Sequence, residues 1–563
     1  MTTSANEDYS AQVPSDAEKI GANDRKEPLL IEPRDSSAAN SHSIAWNFFL
    51  SWYSQHGWHG MGLMGESFLL FSVGILKPFW KALYPECFTT REVCSDILIS
   101  SLTSCAILGI MVGMVAIGYM ANYMGRRKGS VLTASIMSSG AVLLFLNSMF
   151  FINNPTILFT NTSILLFIFG IGVGGEYPLS AASASERAMS SLQRSIENMS
   201  VNTNARVENG RGMKIQLVFS MQGVGIFLNT FLIVILLLVT GQKDGNSGDA
   251  QLEDDNYQSF YSSAALTFIW HATYLISAMI LSYVAISRYM HLEESEVWSN
   301  DCNKRNLAHF EVNDGNNLSK STDAEATGGS LISLLFRNYW HRIVGASLTW
   351  MLWDLSFYGN KLFQADFIMA VAGNNFTLFE ITGAACLNAF VALIGYFTAA
   401  FIIDRPEVGR LRMQLYGLAS VGILLILCSF LPSGNSLRLF LYVLSSFFSQ
   451  CGPNATTYIV PTEMFPTQVR TMCHGIAAAS GKLGALVAAI YFNYSDHTLI
   501  ICGYSCLFAF IISYISIPET SNLNLFENDI KWHMIMKGKK DEYDGPANYP
   551  ENCSYYERMK TSG

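Results

Sequence analysis

Charge is what this sequence has least of. Only 14% of its 563 residues are Asp, Glu, Lys or Arg, against about 25% in an average soluble domain. Half of the residues are hydrophobic, in serial runs without the polar faces that soluble helices and strands alternate, which excludes a set of soluble domains. No basic patch is interleaved with aromatics, which excludes a nucleic-acid surface. The eleven cysteines contain no CxxC pair, and no two histidines stand at metal-ligand spacing, so no metal is expected. Gly170-x-Gly-x-Gly-Gly lies inside an apolar run and not after a strand, which rejects a dinucleotide loop. With no nucleophile–base pair either, no enzyme activity and no cofactor are expected. The net charge of −9 is carried largely by tails and loops and identifies no partner.

What is present is about twelve apolar segments, each near the ~20 residues needed to cross hydrocarbon. They fall near 58–80, 97–120, 129–151, 157–182, 212–240, 261–286, 341–370, 379–403, 411–431, 437–460, 472–493 and 498–517. The pattern predicts an all-α membrane protein, embedded in the lipid bilayer. Residues 1–43 read as a disordered cytosolic tail with no cleavable signal peptide, and 25–30 resemble an acidic-dileucine sorting signal. Residues 44–286 read as an N-terminal six-helix bundle, 287–336 as a polar cytosolic linker, 337–518 as a C-terminal six-helix bundle and 519–563 as a cytosolic tail.

Lysines and arginines crowd one side, including Arg126, Arg127, Lys128, Arg187, Arg211, Arg410 and Arg470. By the positive-inside rule that side is cytosolic, as are both termini. Glycosylation triplets at Asn161, Asn375 and Asn493 fall on the other side. There Cys87 and Cys94 are placed to form a disulfide, although sequence leaves their bonding open.

The informative stretch is Thr349–Tyr358, which sets Asp354 in the middle of an apolar segment. Trp350, Asp354 and Tyr358 stand at i, i+4 and i+8, on one helical face. A charge at bilayer depth costs from ~2.5 to more than 10 kcal/mol, so it persists mainly where it lines a cavity or works. Glu66, Glu176 and Lys482 are equally out of place. Lys482 needs an acid for company, and Glu176 or Glu66 are the candidates. His271, His341 and His474 read as interfacial or packed histidines rather than proton relays.

The turn Gly118…Asn122…Gly125-Arg126-Arg127 has an echo in Gly395…Asp404-Arg405…Gly409-Arg410. Such repeated turns resemble those of the major facilitator superfamily, with Asn122 standing where an Asp is usual. The resemblance implies twelve transmembrane helices in two six-helix bundles that rock around a central site, with Arg126, Arg127, Asp404 and Arg410 at the gate. Gly170–Ala188, Phe219–Gly225, Trp350…Asp354…Tyr358, Gly452–Pro461, Arg470–Gly475 and Ser480–Gly484 follow in order. Together they closely resemble the phosphate:proton symporter family of that superfamily.

That resemblance implies phosphate ligands at Tyr177, Gln222, Trp350, Asp354, Tyr358 and Asn454. It implies proton-linked acids at Glu66, Glu176 and Asp354, with Lys482 as the buried cation. Leu69 stands where the family has a second span-one acid, which leaves the proton count open and sodium not excluded as the coupling ion. Neutral donors suit a buried phosphate that must also be released. An ionised Asp354 beside a phosphate oxygen repels, so binding favours a protonated Asp354 or a monoanion donating its own proton. Substrate and proton then stabilise each other's binding. The expected function is import of inorganic phosphate with protons by alternating access, at the plasma membrane of a eukaryotic cell. An organic phosphate such as a glycerophosphodiester, another oxyanion, a phosphate sensor and an endolysosomal or vacuolar membrane stay open.

Overall fold

The computed structural model describes residues 58–199, 210–242, 261–300, 328–362, 364–372, 377–492, 497–521 and 523–562. The described residues are helical, with no strand. The dileucine-like segment and the triplets at Asn375 and Asn493 lie outside them.

Twelve spanning positions follow in order. The first is α1 (Trp58–Leu70) and α2 (Ser72–Leu83), broken at Phe71. Then come α3 (Asp96–Met124), α4 (Arg126–Phe150), α5 (Pro155–Met199), α6 (Arg211–Val239) and α7 (Ser263–His291). The seventh is α8 (Gly328–Leu362) with α9 (Gln364–Ala372), followed by α10 (Leu378–Ile402) and α11 (Arg410–Phe430). The tenth is α12 (Ser436–Gln450) with α13 (Pro453–Met464), and α14 (Arg470–Tyr491) and α15 (Thr498–Ser516) complete the set. Ten described helices are long and apolar enough to span a bilayer. Side chains such as Leu143, Ile164, Phe268, Leu387 and Phe508 are exposed on their outer faces, where lipid takes the place of a core.

Local chemistry starts these helices. Ser95 and Ser262 cap α3 and α7 through their side chains, and Thr377 with Glu380 forms a capping box on α10. Glycines set the closest packing. A Cβ at Gly109 or Gly113 of α3 would strike the α5 backbone, and one at Gly170 or Gly174 of α5 would strike that of α3. Across the middle, α3 packs on α14 and α6 on α10, joining the first six spans to the last six.

Several expectations are corrected. The span expected over 157–182 is one helix reaching Met199, and α8 starts at Gly328, inside the stretch read as linker. Polar residues did not end these helices because nothing in them breaks one. Asn161 lies within α5, where its amide donates to Asn147 Oδ1 at 3.1 Å; a helical, packed asparagine is a poor glycosylation acceptor. Cys87 and Cys94 are disulfide-bonded in the loop between α2 and α3.

The C-terminal segment is folded onto the last six spans. After α15 come α16 (Leu525–Met536) and α17 (Tyr555–Ser562). Glu557 of α17 accepts from Arg342 Nε and Nη2 at 2.9 and 3.1 Å and meets His341 Nε2 at 2.8 Å. Arg342 and these hydrogen bonds outweigh burial and hold the Glu557 carboxyl below the usual carboxylate range. A depressed acid contributes stability that is full above its unfolded pKa of ~4.3 and is lost as pH falls. Glu557→Gln should therefore loosen α17 by about 2 kcal/mol, or roughly thirty-fold faster hydrogen exchange over 555–562 at neutral pH. The gap between wild type and variant should close progressively below about pH 4.

A buried polar chamber as the candidate functional site

α8 sets Trp350, Asp354 and Tyr358 one turn apart along its inner face, and all three are buried. Asp354 Oδ2 accepts from Lys482 Nζ of α14 at 2.6 Å, with both side chains 1% exposed. The ammonium lies over the Tyr358 ring, 4.1 Å from its centroid, and 5.1 Å from that of Tyr177, so two aromatic faces share its charge. Gly481 lets the two helices meet: a Cβ there would sit 2.9 Å from Trp350 Cγ and 3.0 Å from Asp354 Oδ2.

Hydrogen bonds extend this pair into a chamber. Gln222 Nε2 of α6 donates to the Tyr177 hydroxyl of α5, and Gln222 Oε1 accepts from Tyr396 of α10 at 2.8 Å. Asn454 of α13 donates to Tyr396 at 2.8 Å and to Gln450 Oε1 at 2.7 Å, while Trp353 Nε1 lies 3.4 Å from Asn454 Oδ1. The Tyr177 and Tyr358 hydroxyls are 3.4 Å apart. Tyr177, Gln222, Asp354, Tyr358 and Asn454 thus belong to one buried cluster, and Trp350 joins it through Gly481 and an edge-on contact with His474 at 5.4 Å. With the Gln222, Asn454 and Lys482 donors turned onto neighbours, an anion entering here has to exchange these internal bonds for its own.

The acids and the cation pair differently from expectation. Lys482 bonds Asp354 and neither Glu176 nor Glu66. Glu176 is held by Arg288 of α7, with Nη1 2.6 Å from Oε2, and accepts from Thr133 at 3.2 Å. Gly62 of α1 lies against that pair, leaving no room there for a side chain. Arg288 was missed because span six was read two residues short of it, so its charge was assigned to a linker. Glu66 is 1% exposed and neither carboxylate oxygen has a hydrogen-bond partner among the described residues. The Gln222 carboxamide lies near enough to act on it but outside hydrogen-bond geometry.

Packed side chains lie toward both ends of the chamber. At the α1–α2 break, Phe71 meets the rings of Phe357 and Tyr358 at centroid distances of 6.1 and 5.8 Å. At the opposite end the repeated turn appears twice. Arg126 pairs with Glu186 at 2.6 Å and Arg410 with Glu463 at 3.0 Å. Glu294 accepts the Arg126 and Arg127 backbone N–H groups, and Glu519 accepts those of Arg410 and Leu411. Gly125 and Gly409, at φ +88° and +63°, make the turns, and a Cβ on either would meet those glutamates.

Links between the halves lie beside these turns. Asp404 pairs with Arg410 at 2.8 Å and accepts the Gly212 and Met213 N–H groups at the start of α6. Asn122 makes the matching contact with Thr471 at the start of α14. Arg211 Nε bonds Glu463 Oε1 at 2.7 Å. Glu186, Glu294, Glu463 and Glu519 were not singled out in the sequence, where each is one acid among many near a helix end.

Twelve spans in two sets of six, closing on a polar chamber at mid-depth, define a membrane transporter of the major facilitator fold. The chain belongs to the sugar (and other) transporter family, whose profile matches residues 55–532. It is 27% identical over 542 residues to a rice (Oryza sativa subsp. japonica) protein named probable inorganic phosphate transporter 1-12, covering 87% of this chain and 92% of that one. It is 29% identical over 485 residues to the Arabidopsis thaliana probable inorganic phosphate transporter 1-3, covering 79% and 86%. Among solved structures, the proton:xylose symporter XylE with 6-bromo-6-deoxy-D-glucose aligns at a TM-score of 0.63 and 16% identity, over 85% of this chain and 99% of that one. The inward-open form of XylE from E. coli aligns at 0.54 and 15%, over 84% and 98%.

The central pair yields a prediction. Lys482→Met strands the Asp354 carboxylate, and losing one partner of a buried ion pair costs about 3–5 kcal/mol. Denaturant unfolding of purified protein should show that loss, and Asp354→Asn with Lys482→Met together should recover most of it. Additive losses in the double variant would mean that the two side chains do not depend on each other.

Proposed function

We propose that the protein imports inorganic phosphate together with protons by alternating access between its two six-helix halves. The observation that carries this reading is the isolated Asp354–Lys482 pair beside the hydroxyl and carboxamide donors of Tyr177, Tyr358, Gln222 and Asn454. The pair is neutral as a unit. A phosphate monoanion brought against Lys482 would leave the chamber with one uncompensated charge, at a cost of several kcal/mol in low dielectric. A proton on Asp354 restores neutrality and frees Lys482 to face the anion. Binding of one ion therefore requires the other, and the reciprocity of linkage makes this coupling.

Trp350, Tyr177, Tyr358, Gln222 and Asn454 act in this reading as neutral hydrogen-bond donors around the anion. Glu66, with no bonded partner, is the second proton carrier. Glu176 keeps a structural role with Arg288, because its charge is already balanced. Arg126, Arg127, Asp404 and Arg410 hold the closed end through the contacts at α4, α6 and α11. The tightness of the chamber and the named relatives favour inorganic phosphate over a larger phosphodiester. The arginine-rich helix ends support cytosolic termini in this reading, with the plasma membrane as the site of uptake.

Labelled phosphate uptake in proteoliposomes under imposed gradients tests the reading. A proton gradient should drive accumulation and a sodium gradient should not, with unlabelled phosphate competing better than glycerophosphocholine. Asp354→Asn should bind phosphate at least as well as wild type, since Lys482 is released to it, yet lose uphill accumulation. Uphill uptake by that variant at the wild-type rate would remove Asp354 from coupling.

A further inference from the structure

Seven residues beyond Asp354, about 10 Å along α8, lies a second buried lysine with no counter-charge. Lys361 is 3% exposed, and its Nζ has no hydrogen-bond partner among the described residues. It lines a small cavity inside the last six spans, walled by α8, α11 and α12, with Ser356, Asn360, Ser445, Ser446 and Gln450 around it and no carboxylate in the lining. One turn on, the Gln364 amide nitrogen is also buried without a partner. An orphaned ammonium in a polar wall without an acid makes a site short of one acceptor. A buried ammonium left without an anion costs several kcal/mol, and an unmet amide adds to that.

We propose that this cavity is an anion site, distinct from the central chamber, in which Lys361 holds a single halide-sized inorganic anion. Size bounds the class: the space is about that of one water-sized particle, so a single monatomic anion is the nearest fit and a tetrahedral oxyanion is too large. The position also separates it from the cargo. Ser356 and Asn360 turn toward α11 and α12, where Asn360 accepts from Tyr442, and Lys361 itself lies about two turns beyond Asp354. The two sites nevertheless share a wall, because Trp353 and Gln450 line the cavity and also bond Asn454 of the chamber. An anion on Lys361 fixes the residues that position Asn454.

The test needs no transport, so its failure leaves the cargo reading untouched. Thermal unfolding of the purified protein is followed as chloride or bromide replaces gluconate at constant pH and ionic strength. Wild type should gain several degrees with a saturating halide dependence. Lys361→Met should lose that dependence while unfolding in gluconate no lower than wild type, because it removes an unpaired charge instead of a contact. Crystals grown in bromide should show an anomalous peak beside Lys361 Nζ. No halide dependence in wild type, the same dependence in Lys361→Met, or a Lys361-dependent shift with phosphate alone would each overturn the assignment.

Discussion

A lysine and a carboxylate at hydrocarbon depth tolerate one another and little else. The ion pair between Asp354 and Lys482 sits where neither charge survives alone, and its surroundings are arranged to keep it dry without stranding it. Two tyrosine faces spread the cation's charge, and Gly481 brings the helices close enough for the contact. Among the described residues neither carboxylate oxygen of Glu66, the other acid facing Lys482, bonds the pair. Glu176 is answered by Arg288, so that Lys482 and Arg288 each have their own acid. The chamber is therefore balanced to within a single charge, and any ion that enters it has to bring or take another.

The same bookkeeping governs the closed end by different means. There the charges are many, and they are fixed to helix termini. Each half carries an arginine at the start of a helix, a buried glutamate facing it and a second glutamate capping the backbone N–H groups. The halves are not equal in how they reach each other. Asp404 offers a full negative charge to the positive end of α6, whereas Asn122 offers only a carbonyl dipole to α14. Arg211 adds a bond to Glu463 on the side where Asp404 already acts. More charged contacts therefore cross at the start of α6 than at the start of α14.

Much of this was legible in the sequence, because hydrocarbon imposes a blunt pattern. The run lengths gave the spans, and the i, i+4, i+8 spacing of Trp350, Asp354 and Tyr358 put them on one face. What the sequence withheld was pairing. Lys482 was assigned to Glu176 or Glu66, and only packing shows that α14 carries it to Asp354 and that Arg288 answers Glu176. Span ends were misjudged for a related reason. A polar residue stops a hydropathy window but does not stop a helix, so Arg288 and the start of α8 were counted as linker. Tyr396 and Gln450 escaped notice because a tyrosine or glutamine in an apolar run carries no signature until its neighbours are known. Lys361, inside the span read over 341–370, was not singled out either; the structure buries it.

Glu66 is where the balance is least closed. It is buried, its oxygens bond nothing, and its link to the chamber runs past Gln222, whose amide is already committed to Tyr177 and Tyr396. In the proposed cycle an anion that claims Gln222 has to break those bonds, so the carboxamide turns and Glu66 senses the event without touching the cargo. With Leu69 on the same helix instead of an acid, no second carboxylate in span one shares that burden. One acid matched to a cation and one acid standing alone then suffice to make the chamber respond twice to a single anion, once through charge and once through the hydrogen bonds around it.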